Sequence, residues 1–188
     1  FAQILKYVNI CKYDEYKKDM YHPVDVKITI NGREYNFEEC GARMKGNTSR
    51  NPNFVTESGD IVAPVHFKIS FNQTFDDKDD NDYYTHDWSN DAEGRQTRKD
   101  RRFVDAKKFD IKYNKNQDYT FTRQIYAYEC FKEEGIIAQY NNLVKVTINT
   151  ETDSYTSVYE AQECIDKEFL KRRFDKASQK GNLYKSTY

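Results

Sequence analysis

A short hairpin signal constrains this chain more than any other feature of its sequence. Aliphatic residues from Val24 to Ile30 alternate with polar ones, the dipeptide Asn31-Gly32 follows, and Tyr35 and Phe37 continue the pattern beyond it. Alternation with a period of two is typical of a strand with one buried face, and Asn-Gly favours the type I′ turn of antiparallel hairpins. The sequence therefore predicts a β-hairpin, and with it an antiparallel sheet.

The same alternation recurs along the chain and extends the predicted sheet. It is found around Ala42 and Met44, from 65 to 71, around 109 to 111, from 143 to 148 and from 158 to 165. In the first of these segments, the cations Arg43 and Lys45 alternate with Ala42 and Met44. We therefore expect a sheet with apolar side chains on one face and cations on the other.

Two helices are predicted in the second half of the chain. The apolar residues Phe121, Ile125, Tyr128 and Phe131 fall on one helical stripe, and Gly135 is a suitable stop. A short helix is expected after Asp166, which can cap its N-terminus. The resulting fold class is α+β: a mainly antiparallel sheet with one packed central helix and a short C-terminal helix.

The stretch 76–102 breaks the strand pattern. It begins DDKDD, ends RKDRR and contains hardly an aliphatic residue. Segments of high charge and low hydrophobicity cannot bury enough apolar surface to order themselves. We predict a mobile insertion here, within a single domain that covers residues 1–188.

Length and charge exclude several classes of function. The 188 residues carry 30 basic and 31 acidic side chains, so the net charge of −1 provides no general attraction to nucleic acid. No run of about 18 apolar residues is present, so no membrane span is expected. Aliphatic residues are few, but 16 Tyr and 12 Phe are available, and we expect aromatic rings to form much of the core.

Four cysteines and two glycosylation triplets bear on the compartment. The cysteines lack CxxC spacing, which argues against zinc; they permit three disulfide pairings, although isolated buried thiols are favoured. They are Cys11, Cys40, Cys130 and Cys164. The triplets 47–49 and 72–74 satisfy the acceptor rule for a secreted protein.

Four segments in a fixed order resemble one known family. They are GARMKGNTSR at 41–50, YTFTRQIYAYECFKEEG at 119–135, ECIDKEFLKRRF at 163–174 and GNLYK at 181–185. Together they resemble the CotH family, spore-coat-protein-H-like atypical protein kinases, over the N-terminal half of the family's domain. The resemblance implies a kinase N-lobe that binds ATP with Mg²⁺, phosphorylates Ser/Thr of proteins, and lies outside the cell or on the cell or spore surface.

The resemblance also implies cofactor-binding residues on the strands. Arg43 and Lys45 lie between two glycines and are expected near phosphate oxygens, although solvated cations at a strand end would look the same. Lys68 lies mid-strand on the face opposite the apolar set, where kinases place a phosphate-binding lysine. Its acidic partner is expected on the central helix, at Glu129 or Glu133. The alternative is an exposed lysine on an open sheet.

Two further candidates lie near the helices. Arg123 opens the central helix and is expected to contact either a ligand phosphate or a structural carboxylate. Glu163 is expected where the lobes join, as an acceptor for the adenine amino group. Catalytic residues are unknown, because the expected carboxylates lie beyond residue 188, and no metal ligands are assigned. On this basis the fragment alone is expected to be inactive, and a non-catalytic surface adhesion or assembly module is the alternative function.

Overall fold

The computed structural model describes residues 20–46, 66–76, 84–113, 120, 122–150 and 153–184. Within them the chain forms six strands and three α-helices. The strands are β1 (His22–Ile30), β2 (Arg33–Met44), β3 (Phe67–Ser70), β4 (Lys108–Lys112), β5 (Asn141–Asn149) and β6 (Ser154–Glu163). The helices are α1 (Ala92–Asp100), α2 (Arg123–Glu133) and α3 (Lys167–Arg173), followed by a 3-10 turn at Ser178–Lys180.

The predicted hairpin is confirmed as β1 and β2. Asn31 and Gly32 have φ values of 50° and 77°, the left-handed conformation that a type I′ turn requires at both central positions. The pairing runs from Ile30 opposite Arg33 to His22 opposite Ala42. Its register shifts between Val24 and Val26, which produces a β-bulge in β2.

All six strands join one antiparallel sheet in the order β1-β2-β3-β4-β6-β5. The fold is therefore α+β, as expected. Because side chains alternate between faces, one face of β2, β3, β4 and β6 carries the core while the other carries the charged residues. The core cluster contains the fully buried Phe71 and Tyr159 together with Cys40 and Ile69.

Aromatic rings fill much of this core, as the composition predicted. Phe71 packs against Phe37 at 4.9 Å between ring centroids and against Phe109 at 6.1 Å, and Phe103 closes the group at 5.9 Å from Phe71. Tilted and edge-to-face rings at such distances contribute about 0.5–1.5 kcal/mol per pair beyond burial of their area.

The stretch 76–102, predicted to be a mobile insertion, contains regular secondary structure in its described part. Residues 77–83 lie outside the described residues, but the rest contains helix α1, capped by Asp91 through a hydrogen bond from the Gly94 N–H. No residue of α1 is buried, as expected for a segment with so few apolar side chains. The helix is instead held by two arginines, and hydrogen bonds replaced the missing apolar contacts.

The two arginines, Arg98 and Arg101, bind the bulge of β2. Arg98 binds the Glu39 carboxylate at 2.6 Å, and Arg101 donates to the carbonyls of Glu38 and Glu39 and of Phe71. Glu39 has a φ of 49° and its N–H donates to the side chain of Asp25, so the bulge backbone turns its carbonyls outward toward α1.

An aromatic stack completes the anchoring of α1. The rings of His86 and Trp88 stack at 3.9 Å, and the Arg98 guanidinium lies 5.2 Å from the Trp88 ring centroid. His86 also reaches Glu39 at 3.1 Å, while the indole N–H of Trp88 donates to the Thr74 carbonyl at 2.7 Å. The segment 84–102 is therefore tied to the sheet from both of its ends.

Helix α2 lies against the charged face of the sheet through polar contacts. The hydroxyl of Tyr128 accepts from the side-chain amides of Gln162 on β6 and Gln124, and donates to Gln139. No residue of α2 is buried; of its predicted stripe, Ile125 and Tyr128 are partly covered, Phe131 is exposed, and Phe121 lies outside the described residues. Gly135 ends the helix region with a φ of 71°, as predicted.

The described residues include three of the four cysteines. Among described residues, Cys40, Cys130 and Cys164 are free thiols; Cys11 lies outside them, as does the glycosylation triplet 47–49. No described helix is long and apolar enough to cross a membrane.

Candidate functional site

Strand register brings charged side chains together on one face of the sheet. Arg43 on β2 is paired with Lys68 on β3, and Lys68 is paired with Asp110 on β4. Lys45 and Lys112 each follow two residues later, so they lie on the same face as Arg43 and Asp110. We call these five residues the cation cluster.

Asp110 is the centre of the cation cluster. It is 4% exposed, forms a short ion pair with Lys45, and lies 3.3 Å from the ammonium of Lys68. Burial alone would raise the pKa of the Asp110 carboxyl, but the hydrogen bond and charge of Lys45 and the charge of Lys68 hold that pKa below its ordinary value. Asp110 is therefore an anion at neutral pH.

The pKa values of Lys68 and Lys112 are shifted in opposite directions. Burial would lower the pKa of Lys68, but the charge of Asp110, with smaller contributions from Cys164 and Tyr21, holds that pKa above its ordinary value. For Lys112, burial and the neighbouring charge of Lys45 lower the pKa, and Asp110 and Glu160 offset only part of that effect. Burial is thus the main cause of the lowered pKa of Lys112.

The charge count of the cluster and its border is unbalanced. Among the described residues, the cations Arg43, Lys45, Lys68 and Lys112 outnumber by two the buried carboxylates on this face, those of Asp110 and Glu160. Cys164, also beside Asp110, does not add an anion, because burial and then the charge of Asp110 raise its pKa to about 11. An arrangement of this kind attracts a multiply charged anion.

Tyr21 forms one side of the cation cluster, next to Gly41. A Cβ atom at Gly41 would lie 2.8 Å from Cδ1 of Tyr21, so the glycine makes room for this ring. The Tyr21 ring centroid lies 5.3 Å from the Arg43 guanidinium and 5.8 Å from the ammonium of Lys108. These distances are in the range of cation–π contacts.

The structure confirms that Arg43, Lys45 and Lys68 share one face, but it gives Lys68 a different partner. We expected Glu129 or Glu133 on the central helix; instead the carboxylate is Asp110, on the strand next to Lys68. Glu129 pairs with Lys132 within α2, and Glu133 is exposed. An ion pair inside the sheet replaces the expected one between helix and sheet.

Glu163 lies in an environment that differs from the one expected of an adenine acceptor. Its carboxylate is 2% exposed and is bound by the guanidinium groups of Arg172 and Arg173 and by the N–H of Tyr140. Its backbone also pairs with this segment, its N–H with the Tyr140 carbonyl and its carbonyl with the Gln139 side chain. The side chain faces away from the cation cluster because it follows Gln162 by one residue.

Arg173 is thereby held in a second set of contacts. It donates to the Ala138 carbonyl at 3.0 Å, and its guanidinium lies 4.0 Å from the Phe169 ring centroid. Asp166 caps this helix as predicted, accepting from the N–H groups of Glu168 and Phe169. Glu163 therefore joins β6, helix α3 and the segment before β5.

Arg123, the remaining candidate, is the first residue of α2 and is exposed. It is carried by a different element from the strand cations. Asp110 and Lys112 were not among the predicted site residues, although the alternation of apolar and polar residues could have indicated both. Because Phe109 and Ile111 lie on the apolar face, their neighbours Asp110 and Lys112 lie on the face of Lys68.

Within the described ranges, no group of three or more His, Cys, Asp or Glu side chains could hold a metal ion. Asp110, the central carboxylate, is already bound to two lysines. No residue is therefore assigned to Mg²⁺. Comparisons with models of protein families, with curated proteins and with solved structures found no match to this chain.

Proposed function

We propose that this chain is the nucleotide-binding N-terminal part of a CotH-type protein kinase, and that the cation cluster binds the phosphates of ATP. The observation that carries the proposal is the convergence of Lys45 and Lys68 on the buried carboxylate of Asp110, with Arg43 and Lys112 on the same face of the sheet. Phosphate oxygens are the acceptors best suited to several converging lysine and arginine donors.

The size of the cluster favours a chain of phosphates over a single one. Arg43, Lys68 and Asp110 lie on three successive strands, which spans about 10 Å at the usual strand spacing. Lys45 and Lys112 lie two residues further, a step of about 7 Å along the strands. A single phosphate reaches only part of this area, whereas a di- or triphosphate contacts cations on several strands.

Other parts of the proposal rest on the family resemblance. They are the use of Mg²⁺ with ATP, transfer of the γ-phosphate to Ser/Thr of a protein substrate, and a location outside the cell or on the cell or spore surface. Arg43, Lys45 and Lys68 are retained as cofactor-binding residues, and Lys112 joins them. Glu163 is left out of this set because Arg172 and Arg173 already bind its carboxylate.

Binding of MgATP to the Lys68→Ala variant tests the proposal. Lys68 is 17% exposed at its side chain and faces Asp110, so its removal takes out one charge-assisted phosphate contact. We expect affinity to fall by about 10- to 100-fold by isothermal titration calorimetry. Lys145→Ala is the matched control, because Lys145 is exposed on β5. Equal affinity of both variants would remove the cluster from nucleotide binding.

Surface assembly is the second candidate function, and one observation favours it. Ile136 and Ile137 are each 53% exposed beside the exposed ring of Tyr140. Exposed apolar groups of this size mark interaction surfaces in many proteins. Sedimentation of the wild-type chain and of Ile136→Asp separates the two functions. Association that this substitution abolishes, together with no effect of Lys68→Ala on nucleotide affinity, would favour assembly.

A further inference from the structure

The carboxylate that organises the cation cluster belongs to the sheet. Asp110 lies in the middle of β4, with Lys68 as its pairing neighbour on β3 and Gln162 on β6. Strand partners on both sides fix its backbone, and burial fixes its side chain. Lys45 and Lys68 reach it from two different strand segments.

We propose that Asp110 is the positioning residue of the cation cluster, which it assembles within the sheet, so that phosphate binding requires no carboxylate from helix α2. The inference rests on the proposed function and assigns to Asp110 the task of keeping Lys45 and Lys68 in place and charged. It acts on the ligand through these lysines and not by direct contact.

The contacts of α2 support the proposal that the cation cluster is assembled by residues of the sheet. None of its residues is buried, and the carboxylate of Glu129 is occupied by Lys132 in the adjacent turn. The hydroxyl of Tyr128 connects the helix to Gln162, which follows Asp110 in the same cross-strand row. The helix therefore borders the cluster without supplying its central counter-ion.

The electrostatics of Lys68 give a measurable consequence. Asp110 is the largest of the charges that raise the pKa of Lys68, ahead of Cys164 and Tyr21, while burial and Arg43 lower it. In the Asp110→Asn variant, burial and Arg43 would bring the pKa of Lys68 below its present value. The charged and titratable groups around the cluster are Tyr21, Arg43, Lys45, Lys108, Asp110, Lys112, Glu160 and Cys164.

The pH dependence of anion binding tests the proposal in the full 188-residue chain. Inorganic tripolyphosphate and MgATP are titrated by calorimetry into wild type and Asp110→Asn at about pH 6.5 and pH 9. We expect the ratio of the two affinities, variant over wild type, to be lower at the higher pH, by up to about 10-fold, because Lys68 of the variant loses its proton at lower pH than in wild type. Dividing by wild type removes the ligand's own titration.

Two further variants separate positioning from general damage. Asp110→Glu keeps the charge, and we expect its pH profile to return toward that of wild type. Glu129→Gln removes the carboxylate of the neighbouring helix, and we expect wild-type affinity at both pH values. A loss of anion affinity in Glu129→Gln overturns the proposal even if Asp110→Asn does not fold.

A ligand-free measurement adds a readout that a structural role alone would not move. The ε-carbon resonance of Lys68, followed by NMR between about pH 7 and pH 11, should titrate at lower pH in Asp110→Asn than in wild type. An unchanged titration, together with an unchanged pH profile of anion binding, overturns the inference and leaves the proposed function intact. Failure of the wild-type chain to bind either anion would overturn both.

Discussion

Replacement of Glu163 is the sharpest test of the reassignment from ligand binding to structure. Glu163→Ala removes a buried carboxylate that accepts from Arg173 at 2.6 and 3.0 Å, from Arg172 and from the Tyr140 N–H at 3.1 Å. Both guanidinium groups are mostly covered, at 21% and 13% exposure of their side chains. The substitution therefore leaves two partly buried cations without their counter-ion.

The expected cost is large on the scale of a small domain. Breaking a buried ion pair by removing one partner costs about 3–5 kcal/mol, against a total stability of about 5–15 kcal/mol for typical domains. Glu163→Gln keeps the shape and one acceptor oxygen but loses the charge, so we expect a smaller cost of about 2–3 kcal/mol. Urea denaturation followed by circular dichroism near pH 7 measures both.

The pH dependence of stability provides an independent check. Burial would raise the pKa of Glu163, but its hydrogen bonds with Arg173 and Arg172 hold that pKa below the ordinary value of 4.5. The folded state therefore binds fewer protons than the unfolded state at this group. Its stabilisation is fully present above about pH 4.5 and is lost as pH falls through the lower folded pKa. Glu163→Gln should lack this part of the acid destabilisation.

The exposed pair of Glu129 and Lys132 supplies the matched control. Glu129→Gln removes a carboxylate of the same kind from a pair within one helix, and we expect a cost below about 0.5 kcal/mol. A Glu163→Gln variant as stable as this control would refute the structural role of Glu163. If in addition it binds MgATP more weakly, Glu163 returns to the nucleotide site.

Three further predictions concern other parts of the fold. Gly41→Ala should cost about 1–3 kcal/mol by urea denaturation because its Cβ would meet the Tyr21 ring, and Tyr21→Ala in the same chain should recover part of the loss; additive costs would contradict this contact. Trp88→Ala should speed tryptic cleavage in helix α1, followed by mass spectrometry, and an unchanged rate would show that the stack does not anchor the helix. The Cys40 thiol should react with a disulfide reagent far more slowly than that of Cys130 near pH 8, since it is buried with a pKa raised to about 11; equal rates of modification would contradict its burial.

Local signals made the sheet predictable. The turn at Asn31-Gly32 requires two residues with positive φ, and this sequence places the residues that tolerate it between alternating strands. The same alternation placed Lys68 and Arg43 on the charged face. The cap at Asp166 likewise depends on residues within three positions of it.

Contacts between distant segments were not predictable in this way. Whether Lys68 pairs with Asp110 or with a helix glutamate depends on the register of β3 and β4, which alternation does not define. Helix α1 lacks buried residues and depends on Arg98 and Arg101 reaching a bulge about 60 positions earlier in the chain. Arg172 and Arg173 are close to Glu163 in sequence, but they reach its carboxylate only because helix α3 packs back against strand β6.

The polar attachment of α2 implies an unequal distribution of local stability in this protein. A helix without buried residues, connected mainly through the hydroxyl of Tyr128, opens at a lower free energy than the strands beside it. Amide hydrogen exchange would then report two cooperative units, with the helix exchanging before β2, β3 and β4. Substitutions in the helix can accumulate without loss of the sheet, which leaves this element free to diverge while the strands keep their charges in register.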